Sequence, residues 1–282
     1  MNEMTTQPGA VNPAPGQVSA STPTPTPAPA PAPAPAPTRD IQVRGLVKTY
    51  MRGQVEVPAL AGVDLNLPAG SQTAVMGPSG SGKTTLLHCI AGILPPTSGQ
   101  ILLGDRDIAG MNERERSDLR LEQFGFVFQD GQLLGELSNE ENVALPLMLA
   151  GTPRTEAVAR ADQLLTQLGL PGVGTARPGQ LSGGQAQRVA IARALAPRPS
   201  VVFADEPTGA LDQATGHEVM QVLTEACRAA GATLVVVTHD VGVASWLHTR
   251  LDMRDGHIVG LVRNTAATPA TPAAPASQEP TR

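Results

Sequence analysis

The chain has 282 residues, with 25 acidic against 20 basic side chains and a net charge of −5, so it carries no electrostatic footprint for nucleic acid. Two cysteines, Cys89 and Cys227, make no disulfide framework and have no His or Cys neighbours at metal-ligand spacing; both read as core side chains in a reducing compartment. No apolar run approaches the roughly 18–20 residues needed to span a bilayer, and Met1 to Met4 lacks both parts of a secretory signal, so a soluble intracellular chain is expected.

In chain order, residues 1–38 form a leader rich in Pro, Ala and Thr. Its Thr-Pro and Ala-Pro repeats fix φ and remove amide donors, which predicts extended, solvated chain. Residues 39–263 are ample for one domain with a sizeable core, and residues 264–282 return to Ala, Thr and Pro with little apolar surface to bury. Strands are expected at residues 41–50 and 63–67, the second ended by Pro68-Ala69-Gly70, and at 73–76. A helix follows with Leu86, Leu87 and Ile90 on one face and Gly92 as its stop. Residues 101–103 resume strand character, 113–120 read as a charged helix, and 124–128 as an aromatic-rich strand.

From about residue 130 to 195 the signal is helical. Ser138 and Glu141 are spaced as a capping box ahead of residues 142–150. Thr152-Pro153 opens a further helix with Val158, Ala161, Leu165 and Leu168 inward and Gly169 as its stop. Residues 201–204 and 233–238 are continuous apolar runs, as expected of parallel strands buried on both faces. Val219, Val222, Leu223 and Ala226 mark a crossover helix between them, and Arg254-Asp255-Gly256-His257 reads as a hairpin turn. The expected fold is α/β: a parallel sheet flanked by helices, with an N-terminal antiparallel β portion and an inserted helical subdomain at about 130–195.

Gly77-Pro78-Ser79-Gly80-Ser81-Gly82-Lys83-Thr84 fits the phosphate-binding loop (P-loop) pattern at every fixed position, with a strand before it and a helix after. Its glycines let backbone amides converge, and the helix start near Gly82 adds partial positive charge. Lys83 can reach β- and γ-phosphates and Thr84 can offer its hydroxyl to Mg²⁺; Thr85 closes the nucleotide cradle. About 120 residues on, an apolar strand ends in Asp205-Glu206, where ligands sit in open parallel sheets. Asp205 is suited to a hydrated Mg²⁺ and Glu206 to deprotonating the attacking water. Leu181-Ser182-Gly183-Gly184-Gln185 is a second glycine-rich helix start. Ser182 and Gln185 are spaced as a capping box, and the two glycines remove side chains beyond what a cap requires, leaving a bare anion-binding N-terminus.

These three motifs, in this order, resemble the nucleotide-binding domain of ATP-binding cassette (ABC) transporters, a member of the P-loop NTPases. The resemblance covers about residues 39–263. It implies that Tyr50 stacks on adenine, that Gln129 meets Mg²⁺ and links to the helical insertion, and that His239 contacts the γ-phosphate. Asp212, in Ala210-Leu211-Asp212, matches the loop after the acidic strand. Taken singly, Tyr50 reads as edge packing, His239 as a structural histidine and Asp212 as a helix N-cap. Ala186 stands where the family is usually polar, while Gln187 and Arg188 keep its pattern. In the family the Ser182–Gln185 segment closes on ATP held by the other subunit, so two ATP molecules lie between two head-to-tail domains.

Glu206-Pro207-Thr208-Gly209-Ala210-Leu211-Asp212 and residues 140–147 resemble the subgroup serving lipoprotein release, macrolide and peptide export, and cell division. That implies a separate membrane permease with an extracytoplasmic domain, docking near residues 129–149, a second copy of the chain, and work at the cytoplasmic face of the membrane. A soluble ABC ATPase acting on DNA or ribosomes is the alternative; it usually needs tandem cassettes, long insertions or a basic surface. A nucleotide-binding module with little turnover is disfavoured by the intact set Lys83, Asp205, Glu206 and His239.

Overall fold

The structure, a computed structural model, describes residues 39–264. The expected leader at 1–38, and the expected tail beyond Asn264, lie outside the described residues.

Two sheets build the fold. The first is antiparallel, in the order β2-β1-β4-β5, from β1 (Ile41–Arg52), β2 (Val55–Leu67), β4 (Ser98–Leu103) and β5 (Arg106–Asp107). The second has six strands in the order β10-β9-β3-β8-β7-β6: β3 (Gln72–Met76), β6 (Phe124–Phe128), β7 (Val201–Asp205), β8 (Thr233–Val237), β9 (Thr249–Arg254) and β10 (His257–Arg263). All pairings in it are parallel except the edge pair β9–β10. The helices are α1 (Lys83–Ile90), α2 (Glu113–Gln123), α3 (Asn139–Leu149), α4 (Arg154–Gln167), α5 (Gly183–Leu195), α6 (Gln213–Ala230) and α7 (Val241–Ala244), with a 3₁₀ turn at Pro178–Gln180.

Apart from Asp205 at the end of β7 and Thr233 at the start of β8, these two strands are apolar because the six-stranded sheet is buried on both faces. Val201, Phe203, Val235 and Val237 face one core, shared with α1 and the antiparallel sheet through Leu86, Leu87, Ile41 and Leu46. Val202, Ala204, Leu234 and Val236 face the other, with Leu164 and Leu165 of α4, Ile191 of α5 and Leu223 of α6. Cys89 and Cys227 are buried in these two cores, and burial pushes their thiols up to about 11 and about 12, so both stay protonated and inert.

Some boundaries differ from expectation. β2 begins eight residues before Val63, because pairing to β1 carries Pro58 and Ala61 into a ladder their own propensities disfavour. Pro153, not Thr152, caps α4, and it does so without a side-chain bond. Val158 is only half-buried, since Ala157 and Leu164 take the inward positions of that helix. On α6, Val222 and Ala226 are likewise half-buried beside fully covered Val219 and Leu223. The Ser138–Glu141 capping box forms in both directions, and Asp255-Gly256, both at positive φ, turns β9 into β10 as expected of a two-residue hairpin. Asn264 is tied back to the segment between α7 and β9: its amide donates to His248 O and its side chain to Leu247 O.

Candidate nucleotide site

Four neighbouring strands end in register. Val75 of β3 pairs with Val237 of β8, Val237 with Asp205 of β7, and Asp205 with Phe128 of β6. Their next residues leave the sheet along one rim, in the spatial order P-loop, Thr238-His239, Asp205-Glu206, Gln129. This is the C-terminal edge of a parallel sheet, where loops converge on ligands.

The P-loop holds a shape that excludes side chains at two points. At Gly77 (φ 154°) an added Cβ would lie 2.3 Å from Met253 O, and at Gly82 (φ 98°) 2.3 Å from Ala59 O. Gly82 is also the N-cap of α1, so the helix start faces the loop's concavity. Lys83 is buried and its ammonium donates to Gly77 O at 2.8 Å and Pro78 O at 2.9 Å, folded over the loop it would share with phosphates. The contact with Ala59 brings β2 against the P-loop. Tyr50 pairs with Val57, two residues from Ala59, and its ring is 41 % exposed beneath the Lys48 ammonium, 5.4 Å from the ring centre.

Asp205 and Glu206 are adjacent but differently held. Burial raises the Asp205 carboxyl above its usual range and the Glu206 charge adds to this; His88, the Thr84 hydroxyl and Lys83 pull the other way. Thr84 thus lies beside the carboxylate expected to share its metal. Glu206 adopts φ 47°, a left-handed conformation uncommon for a side chain of this kind, which breaks the strand's alternation and turns its carboxylate toward β8. There Oε1 lies 2.7 Å from His239 Nδ1 and accepts from His239 N at 3.2 Å, while Oε2 accepts from the Thr238 hydroxyl at 3.1 Å.

The remaining candidates lie around this cluster. Gln129 is exposed and its amide packs on Gly209, where a Cβ would meet it at 3.0 Å. Asp212 caps α6: Oδ1 accepts from Thr215 N and Oδ2 from Thr215 Oγ1 at 2.6 Å, and these bonds hold its carboxyl below the usual range. Ser182 and Gln185 make their reciprocal capping box at the start of α5. Gly184 is buried, and a Cβ there would lie 2.4 Å from Thr215 Cγ2. Its missing side chain therefore serves close packing of α5 on α6, a requirement not legible in the motif. Gly183, by contrast, is exposed together with Ser182 and Gln185.

The structure thus gathers Lys83, Thr84, Asp205, Glu206 and His239 along one rim of the sheet, with Glu206 and His239 in direct contact and Gln129 and Tyr50 at the flanks, and packs Gly184 of the second motif on α6. Three residues not singled out for roles of their own prove to hold the site. Thr238 bonds Glu206; Gln187 donates to Phe128 O at 2.8 Å, next to Gln129; and Arg193 donates to Gly131 O and Gln132 O, both at 2.7 Å. Their positions on buried faces are visible in the sequence, but their partners are 32 to 62 residues away. Among the described residues, no group of three or more His, Cys, Asp or Glu is arranged to hold a metal.

Known proteins match this arrangement. The family described as "ABC transporter" matches residues 60–209, more than half of the chain. The lipoprotein-releasing system ATP-binding protein LolD 2 of Caulobacter vibrioides is 45 % identical over 77 % of this chain and 96 % of its own length. The ABC transporter ATP-binding protein YtrE of Bacillus subtilis is 44 % identical over 73 % of this chain and 89 % of its own. The macrolide export ATP-binding/permease protein MacB of Azoarcus sp. is 44 % identical over 78 % of this chain but only 33 % of its own length. Among solved structures, a dimeric post-hydrolysis state of the ATP-binding cassette MJ0796 bound to ADP and Pi superposes with a TM-score of 0.73 at 37 % identity, covering 80 % of this chain and 99 % of that one. On the P-loop, the acidic strand end and these likenesses together, the chain belongs to the ABC transporter family and is an ATP-binding, ATP-hydrolysing subunit of a transporter.

Proposed function

We propose that two copies of this chain close head to tail on two Mg²⁺-ATP and thereby work a separate membrane permease with an extracytoplasmic domain, from the cytoplasmic face of the membrane. The carrying observation is the split between two phosphate-binding helix starts. That of α1 belongs to the cluster with Asp205, Glu206 and His239, whereas that of α5 is exposed and packs on α6. An exposed, positively polarised helix start suits an anion delivered by another molecule. Ser182, Gly183, Gly184, Gln185 and Asp212 then complete the site of the opposite subunit. This supports a dimer of like chains, each contributing to both sites. The solved MJ0796 cassettes are dimeric.

Within one chain, residues 77–85 cradle the phosphates and Tyr50 stacks on adenine. Hard oxygen donors suit Mg²⁺, which keeps several waters and needs few protein ligands; the Thr84 hydroxyl and the neighbouring Asp205 carboxylate fit that demand, and Gln129 joins them. Bound Mg²⁺ would neutralise charge on the β- and γ-oxygens. Glu206 takes the proton of the attacking water, Lys83 holds the phosphates, and His239, its side chain 74 % exposed, reports the γ-phosphate.

Among the described residues no helix is long and apolar enough to cross a membrane, so the membrane work falls to a partner. A groove of about 430 Å³ suits a partner helix. It lies between α2, the edge strand β6, α3 and α5, and is lined by Leu121, Phe126, Phe128, Leu145, Pro146 and Leu149. Gln187 and Arg193 tie this region to the carbonyls flanking Gln129, which gives docking a mechanical path to the nucleotide. Lipoprotein release or macrolide export, as named for the relatives, is the kind of work we infer.

Glu206→Gln tests the reading: turnover should fall by about 10²-fold or more while ATP converts the protein to a dimer in light scattering. A variant that stays monomeric with ATP, or keeps full turnover, contradicts it.

A further inference from the structure

Glu206 sits on a strained turn, and its carboxylate would have many rotamers if left free. Ordering a glutamate side chain costs rotamer freedom. Something must therefore hold it in the geometry that proton transfer requires. Thr238 is 1 % exposed, directly after β8, and its own amide donates to Val75 O, on the strand that runs into the P-loop. Its hydroxyl accepts from Asp240 N at 3.0 Å and donates to Glu206 Oε2 at 3.1 Å. A hydroxyl has one proton. Because the Asp240 amide occupies a lone pair, that proton is directed at the carboxylate, and the relay runs one way from amide to hydroxyl to Glu206.

We propose that Thr238 is the positioning residue of the catalytic glutamate. It holds Oε2 against the end of β8, fixing the carboxylate plane and leaving Oε1 as the oxygen that takes the proton of the attacking water. Oε1 lies against His239 Nδ1 and N, so a turn of the His239 ring toward phosphate would uncover the basic oxygen. Glu206 N donates to Val237 O at 2.9 Å, so the backbone and the Thr238 side chain hold the turn at two separate points. Val copies the shape of Thr without the hydroxyl, and Ser keeps the hydroxyl without the methyl.

This inference rests on Glu206 being the general base, and the experiment separates the two. Steady-state ATPase kinetics are measured on the full chain for Thr238→Val, Thr238→Ala and Thr238→Ser, and on Thr238→Val in the Glu206→Gln background. The Val and Ala variants should lose about 10- to 100-fold in kcat with KM for ATP within about twofold of the parent, and the Ser variant should recover most of that loss. In the Glu206→Gln background the Thr238→Val change should subtract nothing further, because its effect passes through the missing carboxylate. Parental kcat in both Val and Ala variants, a Ser variant as slow as Val, or an undiminished further loss in the double variant overturns the proposal. Full turnover in Glu206→Gln alone removes the base and the proposal with it, whereas an inactive Glu206→Gln beside a fully active Thr238→Val removes the proposal alone.

Discussion

Asp205 and Glu206 show how much a single residue step decides. They are consecutive acids at one strand end, yet Asp205 turns to the P-loop and Glu206, at φ 47°, to β8. Burial first, then the charge of Glu206, lifts the Asp205 carboxyl above its ordinary value of 3.8. The folded protein therefore binds more protons than the unfolded chain between the two pKa values. The associated stability is fully present below 3.8 and lost as pH rises through the folded pKa; above it the charged carboxylate is a standing cost. Asp205→Asn should accordingly melt higher than the parent at pH 7, in chelator and without nucleotide, and this gain should vanish below about pH 4. The same variant should lose ATP hydrolysis. An Asn variant melting no higher at pH 7 would remove the argument that this carboxylate is held desolvated for a cation. The acids were legible as a pair from the sequence; their divergence was not, because it depends on a backbone conformation that no local propensity favours for glutamate.

At the scale of elements, helix starts and stops were the most readable features. Ser138, Ser182 and Asp212 cap as their chemistry dictates, and Gly92 and Gly169 follow helix ends at positive φ. What one element demands of another was not readable, and Gly184 is the example. The glycine pair in the second motif reads as an anion site, yet the Cβ excluded at Gly184 is excluded by Thr215 of α6. Gly184→Ala should destabilise the fold by about 1–3 kcal/mol, as overpacking does. Adding Thr215→Ser, which deletes Cγ2 and keeps the hydroxyl bonded to Asp212, should restore the melting temperature. If the double variant folds normally but hydrolyses no ATP, the glycine also serves the nucleotide; if both return, packing is its whole role. Leu149, at the end of α3, is 67 % exposed beside the groove, so nothing in the fold requires it to be apolar. Leu149→Asp should leave the isolated chain's ATPase and melting temperature unchanged while abolishing its co-purification with a permease. Retained co-purification would move the docking site elsewhere.

At the scale of the whole molecule, the question is how many chains make one site. If α5 of one copy completes the P-loop of another, two differently disabled chains can complement. Lys83→Ala and Gly183→Asp should each be inactive alone, since every site in either homodimer lacks one half. Mixed equally, half the dimers are mixed pairs with one site doubly damaged and one intact, so turnover should return to at most about a quarter of the parental rate. Colorimetric phosphate release reads this directly, and a mixture as silent as its components would exclude composite sites. The elements and the chemistry can be read from the order of residues alone: the P-loop glycines, Lys83, the acids at a strand end, the caps, and the family to which they point. These are local, because they depend on backbone conformations and hydrogen-bonding groups a few residues apart. The strand order β3-β8-β7-β6 emerges only in three dimensions, and it sets His239 between the P-loop and Asp205 although it is the last of these site residues in sequence. In three dimensions, too, Thr238 meets Glu206, Gln187 meets the carbonyl before Gln129, and Gly184 yields to Thr215. Such contacts join residues tens of positions apart, and their reason is packing: the crossover helices must cover both faces of a sheet, and that requirement is met once, by the molecule as a whole.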